Sequence, residues 1–242
     1  MSSLSDVLGD TGFGVSHWMP RFYFSHYHIM SAAFFARESG KLERDNKDKE
    51  IVPSRIQSEH RAFVTGCIFS SASFLEAQIN ELFTDAAEDQ REHIYQLGDK
   101  IYLFADMWKL GVPRTASYSI LEKYEIALAL AEREPLDRGS LLYKDCKLLI
   151  WMRNALIHYE PLSSTSTAKS SKWLENRFRG KFSLNPLTGA KTPFFPIRCM
   201  GYGCAKWAVE SSIRFVDHCC SGLEVQPIFD LSRDSLSIEP SP

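Results

Sequence analysis

Between Pro53 and Pro113 the chain carries no proline, and inside that interval Ile68, Ala72, Leu75, Ile79, Leu82 and Ala86 recur at alternating spacings of four and three. That spacing puts all six on one face of an α-helix, a stripe that needs a partner to cover it. Pro53 and Ser54, with Gln57 three residues on, read as a capping box at the start of this helix, which is predicted over residues 55–86. Glu76 and Asn80 lie one step round from the stripe, on its flank.

Other segments repeat the pattern. Ser119 and Glu122 form a second capping box ahead of Ile120, Leu121, Tyr124, Ala127, Leu128 and Ala131, a short helix that Pro135 closes. After Gly139 and Ser140 comes a helix containing Leu141, Leu148, Met152, Ala155 and Leu156, which must end before Pro161 because proline disfavours helical geometry at Glu160. The aromatic run from His17 to Arg37 predicts a helix starting near Pro20, and the sign-alternating run from Gly40 to Glu50 reads as an exposed loop. Residues 162–203, rich in proline, glycine, serine and threonine, read as a long loop around a short helix near Trp173 to Arg179. A last helix is expected from Ala205 to Cys220, ahead of an unstructured tail. The expected architecture is an all-α helical bundle in one domain. Its segments are an N-terminal helix and polar loop (1–53), a helical core (54–161), a basic aromatic loop (162–203), and a C-terminal helix with its tail (204–242).

Composition narrows the function classes. The chain has 242 residues, 44% hydrophobic and 24% charged, an ordinary balance for a protein with a packed core. The longest clean apolar run, Ile126 to Ala131, is too short to cross a bilayer, and the first residues lack the basic and apolar regions of a secretory signal. Neither a membrane partner nor export is expected, which points to the cytoplasm. The six cysteines are scattered without CxxC pairs, as suits reduced thiols. Charge is segregated: from Pro161 to Gly201 there are seven basic residues against the single acid Glu175, a net of +6, so the remainder carries −8 of the overall −2.

The residues best suited to chemistry are Arg153, Asn154 and His158, near the end of the helix that precedes Pro161. Asn154 and His158 are four apart and share a face, while Arg153 starts about 100° away and reaches them only through its long stem. Imidazole moves protons near neutral pH, guanidinium grips a phosphate in two places, and a carboxamide orients either. The same residues also fit a purely structural arrangement, with His158 on the last helix carbonyls and Arg153 a solvated cation.

Arg153-Asn154-x3-His158 at a helix end, followed by Tyr159-Glu160-Pro161, resembles the Arg-x4-6-His signature of HEPN domains. The segment Ser71 to Glu81 is similar to the long helix that packs against the motif helix in bacterial members, so the resemblance spans roughly residues 54–161. It implies an all-α fold, metal-independent endoribonuclease activity without a cofactor, and a homodimer that brings two Arg/His pairs to one cleft. It implies His158 as general base or acid, Arg153 as the stabiliser of phosphate charge, Asn154 as an orienting residue, and Glu76 and Asn80 as lining residues. A toxin or defence role, with an antitoxin or regulatory partner, follows from the same resemblance. The alternative is a non-catalytic helical module that binds RNA or a protein.

Lys172, Arg177, Arg179 and Lys181 are the expected RNA contacts, set among Trp173, Phe178, Phe182, Phe194 and Phe195 in a mixture that grips phosphates and stacks unpaired bases. The competing reading is a solvated loop whose aromatics anchor it to the core. Cys199, Cys204, His218, Cys219 and Cys220 fit no common closed zinc site, so no metal is expected. His17, His26 and His28 read as packing residues, and Gly12-Phe13-Gly14 as a turn rather than a dinucleotide loop.

Overall fold

The structure, a computed structural model, describes residues 21–240 except 89, 91, 112–117 and 160–166, with their side chains apart from those of 167–171 and 231. Among the described residues there are seven α-helices and no strand: α1 (Phe24–Asn46), α2 (Ser54–Ala87), α3 (Ile101–Lys109), α4 (Ile120–Leu130), α5 (Leu141–Ile157), α6 (Thr167–Phe178) and α7 (Tyr202–Leu223). The all-α expectation therefore holds. The turn at Gly12 to Gly14, the helix start at Pro20 with His17, and the Ser/Thr run after Pro161 lie outside the described residues.

α2 is the central element, packed against α1, α3, α4, α5 and α7. Its stripe is buried as its spacing demands, from Ile68 through Ala86. The capping box at its start does not form. Pro53 occupies the cap position, Ser54 is already helical, and the Gln57 carboxamide donates instead to the Val52 carbonyl at 3.0 Å. By length and mean hydropathy α2 is long and apolar enough to cross a membrane, but half of the relevant stretch is buried inside the fold.

α1 runs antiparallel to α2, since Ser25 meets Glu81 at one end and Glu43 meets His60 at the other. Here one expectation fails: the polar run from Gly40 is helical as far as Asn46. Its inward positions, Ser39, Gly40, Glu43 and Asn46, are small or polar yet buried, so no apolar stripe betrays them. Glu43 accepts from the Tyr202 backbone N–H at 2.6 Å and bonds His60 Nε2 at 2.9 Å, tying α1, α2 and α7 together. Gly40 is required there, because a Cβ would fall 2.8 Å from the Tyr202 ring and 2.6 Å from Pro240.

Ser119 and Glu122 form the expected capping box on α4, and Ser140 caps α5 by accepting from the Tyr143 N–H. α4 stops earlier than Pro135 requires, at a left-handed Glu132. The Tyr124 hydroxyl on α4 donates to the Leu75 carbonyl of α2 at 2.8 Å. α5 and α7 lie antiparallel, with Cys146 against Ser211 and Met152 against Cys204.

Two further expectations are corrected by packing. The segment after α5 is a loop around one helix, as expected, but the helix is longer than expected and the chain around it is packed rather than solvated. α6 begins at Thr167, and Leu174, Phe178, Phe194, Phe195, Cys199 and Met200 enter the main core. The C-terminal tail is docked rather than loose: Phe229 packs edge-on against Phe74 at 5.1 Å, and the Ile238 carbonyl accepts from the Tyr202 hydroxyl at 3.2 Å. The last helix is longer than expected at both ends, Tyr202–Leu223. All six cysteines are free and buried, and among the described residues no three His, Cys, Asp or Glu side chains gather to hold a metal.

Candidate active site

Three helices bring charged side chains to one place. Glu76 and Asn80, one turn apart on α2, both face Lys123 of α4, whose ammonium donates to Glu76 Oε1 at 3.0 Å and to Asn80 Oδ1 at 3.1 Å. Lys123 is almost fully buried, with its side chain only 4% exposed, so it needs both acceptors. The other carboxylate oxygen of Glu76 forms an ion pair with Arg153 of α5 at 3.9 Å, longer than a hydrogen bond. Glu76 thus bridges a buried lysine and a partly exposed arginine, and it is itself 42% exposed.

Sequence reasoning placed Glu76, Asn80 and Arg153 in one site, and the structure brings these three together. It missed Lys123, although the signal was present. Lys123 follows Ile120 by three and precedes Ala127 by four, so a cation stands on the buried stripe of α4 and must be paired.

Asn154 and His158 are exposed on the outer side of α5. His158 is the residue that ends the helix rather than part of its last turn, and its backbone N–H donates to the Asn154 carbonyl at 2.9 Å. Neither side chain has a partner among the described residues.

The four expected RNA contacts divide. Arg177 lies over the Trp173 ring at 4.8 Å, and Lys181 pairs with Asp145 of α5. Both line a groove between α5 and α6, whereas Arg179 opens onto a neighbouring groove beside α7 and Lys172 is exposed outside either lining. The surrounding aromatics correct the expectation of a stacking loop: Phe178, Phe194 and Phe195 are buried in the core, and Phe182 packs against Trp207 at 5.4 Å. Trp173, 45% exposed, remains open to a ligand.

The thiols are not available as nucleophiles. Burial pushes Cys67, Cys199 and Cys220 up to about 12, and raises Cys146, Cys204 and Cys219 as well. The chemistry at hand is therefore that of guanidinium, imidazole, carboxamide and carboxylate. The chain matches no protein-family model, no curated protein and no solved structure.

Proposed function

We propose that this chain is a metal-independent endoribonuclease of HEPN type, active as a homodimer in the cytoplasm. The observation that carries the reading is the Arg153-x4-His158 pair at the end of α5, with Glu76 of the adjacent helix reaching Arg153. In this reading an RNA 2′-hydroxyl attacks the neighbouring phosphorus, the bond to the 5′-oxygen breaks, and a cyclic phosphate and a 5′-hydroxyl result. His158 accepts the proton from the 2′-hydroxyl or gives one to the leaving oxygen, and the partner's copy of the same histidine serves the complementary role. Arg153 balances charge that grows on the phosphate oxygens. Its ion pair with Glu76 steadies the guanidinium, Lys123 in turn fixes Glu76, and Asn80 fixes Lys123. Asn154 orients the phosphate or the imidazole. A toxin or defence role, restrained by an antitoxin or regulatory protein, is part of the same proposal.

A second reading, a non-catalytic module that binds RNA or protein, is favoured by one observation: within a single chain nothing described orients the His158 ring. One gel separates the two. Labelled RNA incubated in EDTA with wild type and with His158→Ala is cleaved only by wild type if the enzyme reading holds, and intact RNA in both lanes across several substrates leaves the binding module. Light scattering tests the dimer, and a monomer that retains full activity would refute the shared cleft.

A further inference from the structure

The groove between α5 and α6 has a composition that the catalytic reading does not use. It encloses about 630 Å³, room enough for a nucleotide. Its polar lining includes Lys144, Lys147, Asn176, Arg177 and Lys181, and among the described residues no carboxylate lines it. Two tryptophans complete it: Trp151 and Trp173 meet edge to face at 5.6 Å, and Arg177 stacks on Trp173. Lys181 is partly neutralised by Asp145, and Lys144 donates to the Gly139 carbonyl while staying exposed. Lys147 is exposed and has no side-chain partner among the described residues.

The position of the groove is as telling as its lining. Lys144, Lys147, Trp151, Asn154 and His158 follow one another at spacings of three, four, three and four, so they form one stripe along the outer face of α5. At 1.5 Å per residue the stripe is about 21 Å long, and Trp151 stands about 10 Å from His158 along the axis. Aromatic rings fill that interval. Trp151 lies 6.0 Å from Phe195, and Phe195 lies 6.4 Å from Tyr159, the residue after His158. Cations flanking an exposed indole are what an unpaired base and its adjoining phosphates require, because every base offers a π-face and every linkage a negative charge. A duplex keeps its bases stacked on each other and offers no free face to Trp173.

We propose that this groove is a binding subsite for single-stranded RNA, in which Trp173 stacks an unpaired base, Lys144, Lys147 and Arg177 hold the adjoining phosphates, and the strand continues along α5 toward His158. The proposal rests on the ribonuclease reading for what happens at His158, but the binding itself does not depend on cleavage.

The test uses the full chain with a single-stranded RNA decamer, the same sequence as a duplex, and polyglutamate. Binding is read by quenching of tryptophan fluorescence in EDTA at several salt concentrations, in the His158→Ala background so that RNA stays intact. The expected result is at least tenfold preference for the single strand. Trp173→Ala should weaken binding by about 5- to 100-fold, the range for one stacked base. The pair Lys144→Ala and Lys147→Ala should lower the salt slope by about 1.4, at about 0.7 per phosphate contact on a single strand. These side chains are exposed, so circular dichroism should be unchanged and a folding defect is separable from a binding one. Unchanged affinity and slope in both groove variants, equal affinity for the duplex, or polyglutamate that competes as well as RNA would each overturn the proposal. A parallel cleavage gel keeps the two readings apart. Groove-dependent binding with no cleavage by protein carrying His158 upholds the subsite and rejects the nuclease, whereas His158-dependent cleavage that ignores the groove variants rejects the subsite alone.

Discussion

Raising the pH from 8 to 10 should strongly destabilise this protein, and its cysteines set the scale. All six thiols are free and buried, and burial holds each above its ordinary range, at about 12 for Cys67, Cys199 and Cys220. Cys146, Cys204 and Cys219 are raised in the same direction. In the unfolded chain each thiol ionises near about 8.5. The folded state therefore keeps protons that the unfolded state releases, so stability is intact below about pH 8.5 and falls as the pH rises beyond it. Each thiol that stays protonated in the fold then costs well under about 1 kcal/mol at pH 8, just under about 1 at pH 9 and about 2 at pH 10. For the six together the cost is about 1, about 5 and about 12 kcal/mol, against a whole stability of about 5–15 kcal/mol. Urea unfolding followed by circular dichroism, at constant ionic strength with a phosphine reductant, reads this directly. With a slope of about 3 kcal/mol/M, the midpoint should drop by more than about 1 M between pH 8 and pH 9. A thiol reagent at pH 8 should find no reactive cysteine in the native protein and six after denaturation. The variant Cys146→Ala/Cys219→Ala should start less stable but descend about a third less steeply, having lost two of the six thiols. A midpoint that stays level from pH 8 to 9.5, or thiols that react in the native state, would refute the reasoning.

Four further outcomes are expected. His158→Ala should abolish RNA cleavage, a loss of about 10²–10⁴-fold for a proton-transfer group, while its urea midpoint stays within about 0.5 kcal/mol of wild type; equal loss of fold and activity would make His158 structural. Glu76→Gln should cost about 1–3 kcal/mol by weakening the partner of buried Lys123, and adding Lys123→Met should recover most of it, so a double-mutant cycle showing no coupling would dismiss the pair. Burial raises the Glu81 carboxyl, which accepts from the Ser25 N–H at 2.9 Å, so stability should fall as the pH climbs above the ordinary carboxylate range of about 4.3; Glu81→Gln should flatten that descent in a pH series of urea midpoints. Neutralising Lys172, Arg177, Arg179 and Lys181 together should lower the salt slope of RNA binding by about 0.7, not about 2.8, because of the four only Arg177 holds a phosphate in the α5–α6 groove while Lys181 is paired with Asp145.

The parts of the fold that were legible in the sequence are those whose burial is local and apolar. The stripe from Ile68 to Ala86 and the Ser119–Glu122 cap depend on residues within a few turns, so their spacing announces them. The second half of α1 was not legible, because Gly40 and Glu43 meet Tyr202, about 160 residues away, and a glycine and a glutamate on a buried face look like a loop. The tail failed for the same reason: Phe229 gains its place from Phe74, on a helix far back in the chain. At the candidate site, Arg153, Asn154 and His158 stand out in the sequence because they cluster in six residues, but of these only Arg153 is joined to Glu76. Lys123 was hidden by being read one helix at a time, since a lysine on an apolar stripe makes sense only once Glu76 and Asn80 arrive from α2.

α5 shows why fold and site share so few residues yet depend on each other. Its inner positions, Cys146, Leu149 and Met152, are fully buried against the core, while its outer positions carry Lys144, Lys147, Trp151, Asn154 and His158. Arg153 stands between the two sides. A solvated surface arginine would be largely exposed, but the Arg153 side chain is only 26% exposed and stands beside Glu76. A guanidinium has five N–H donors in a fixed fork, and one carboxylate oxygen at 3.9 Å satisfies at most a loose share of them. Among the described residues the remaining donors have no other partner, which in the proposed reaction leaves them for the phosphate. Glu76 is itself held by Lys123, which Asn80 anchors, so in the proposed reaction the cation that meets the phosphate is positioned by a lysine with its side chain 4% exposed on another helix.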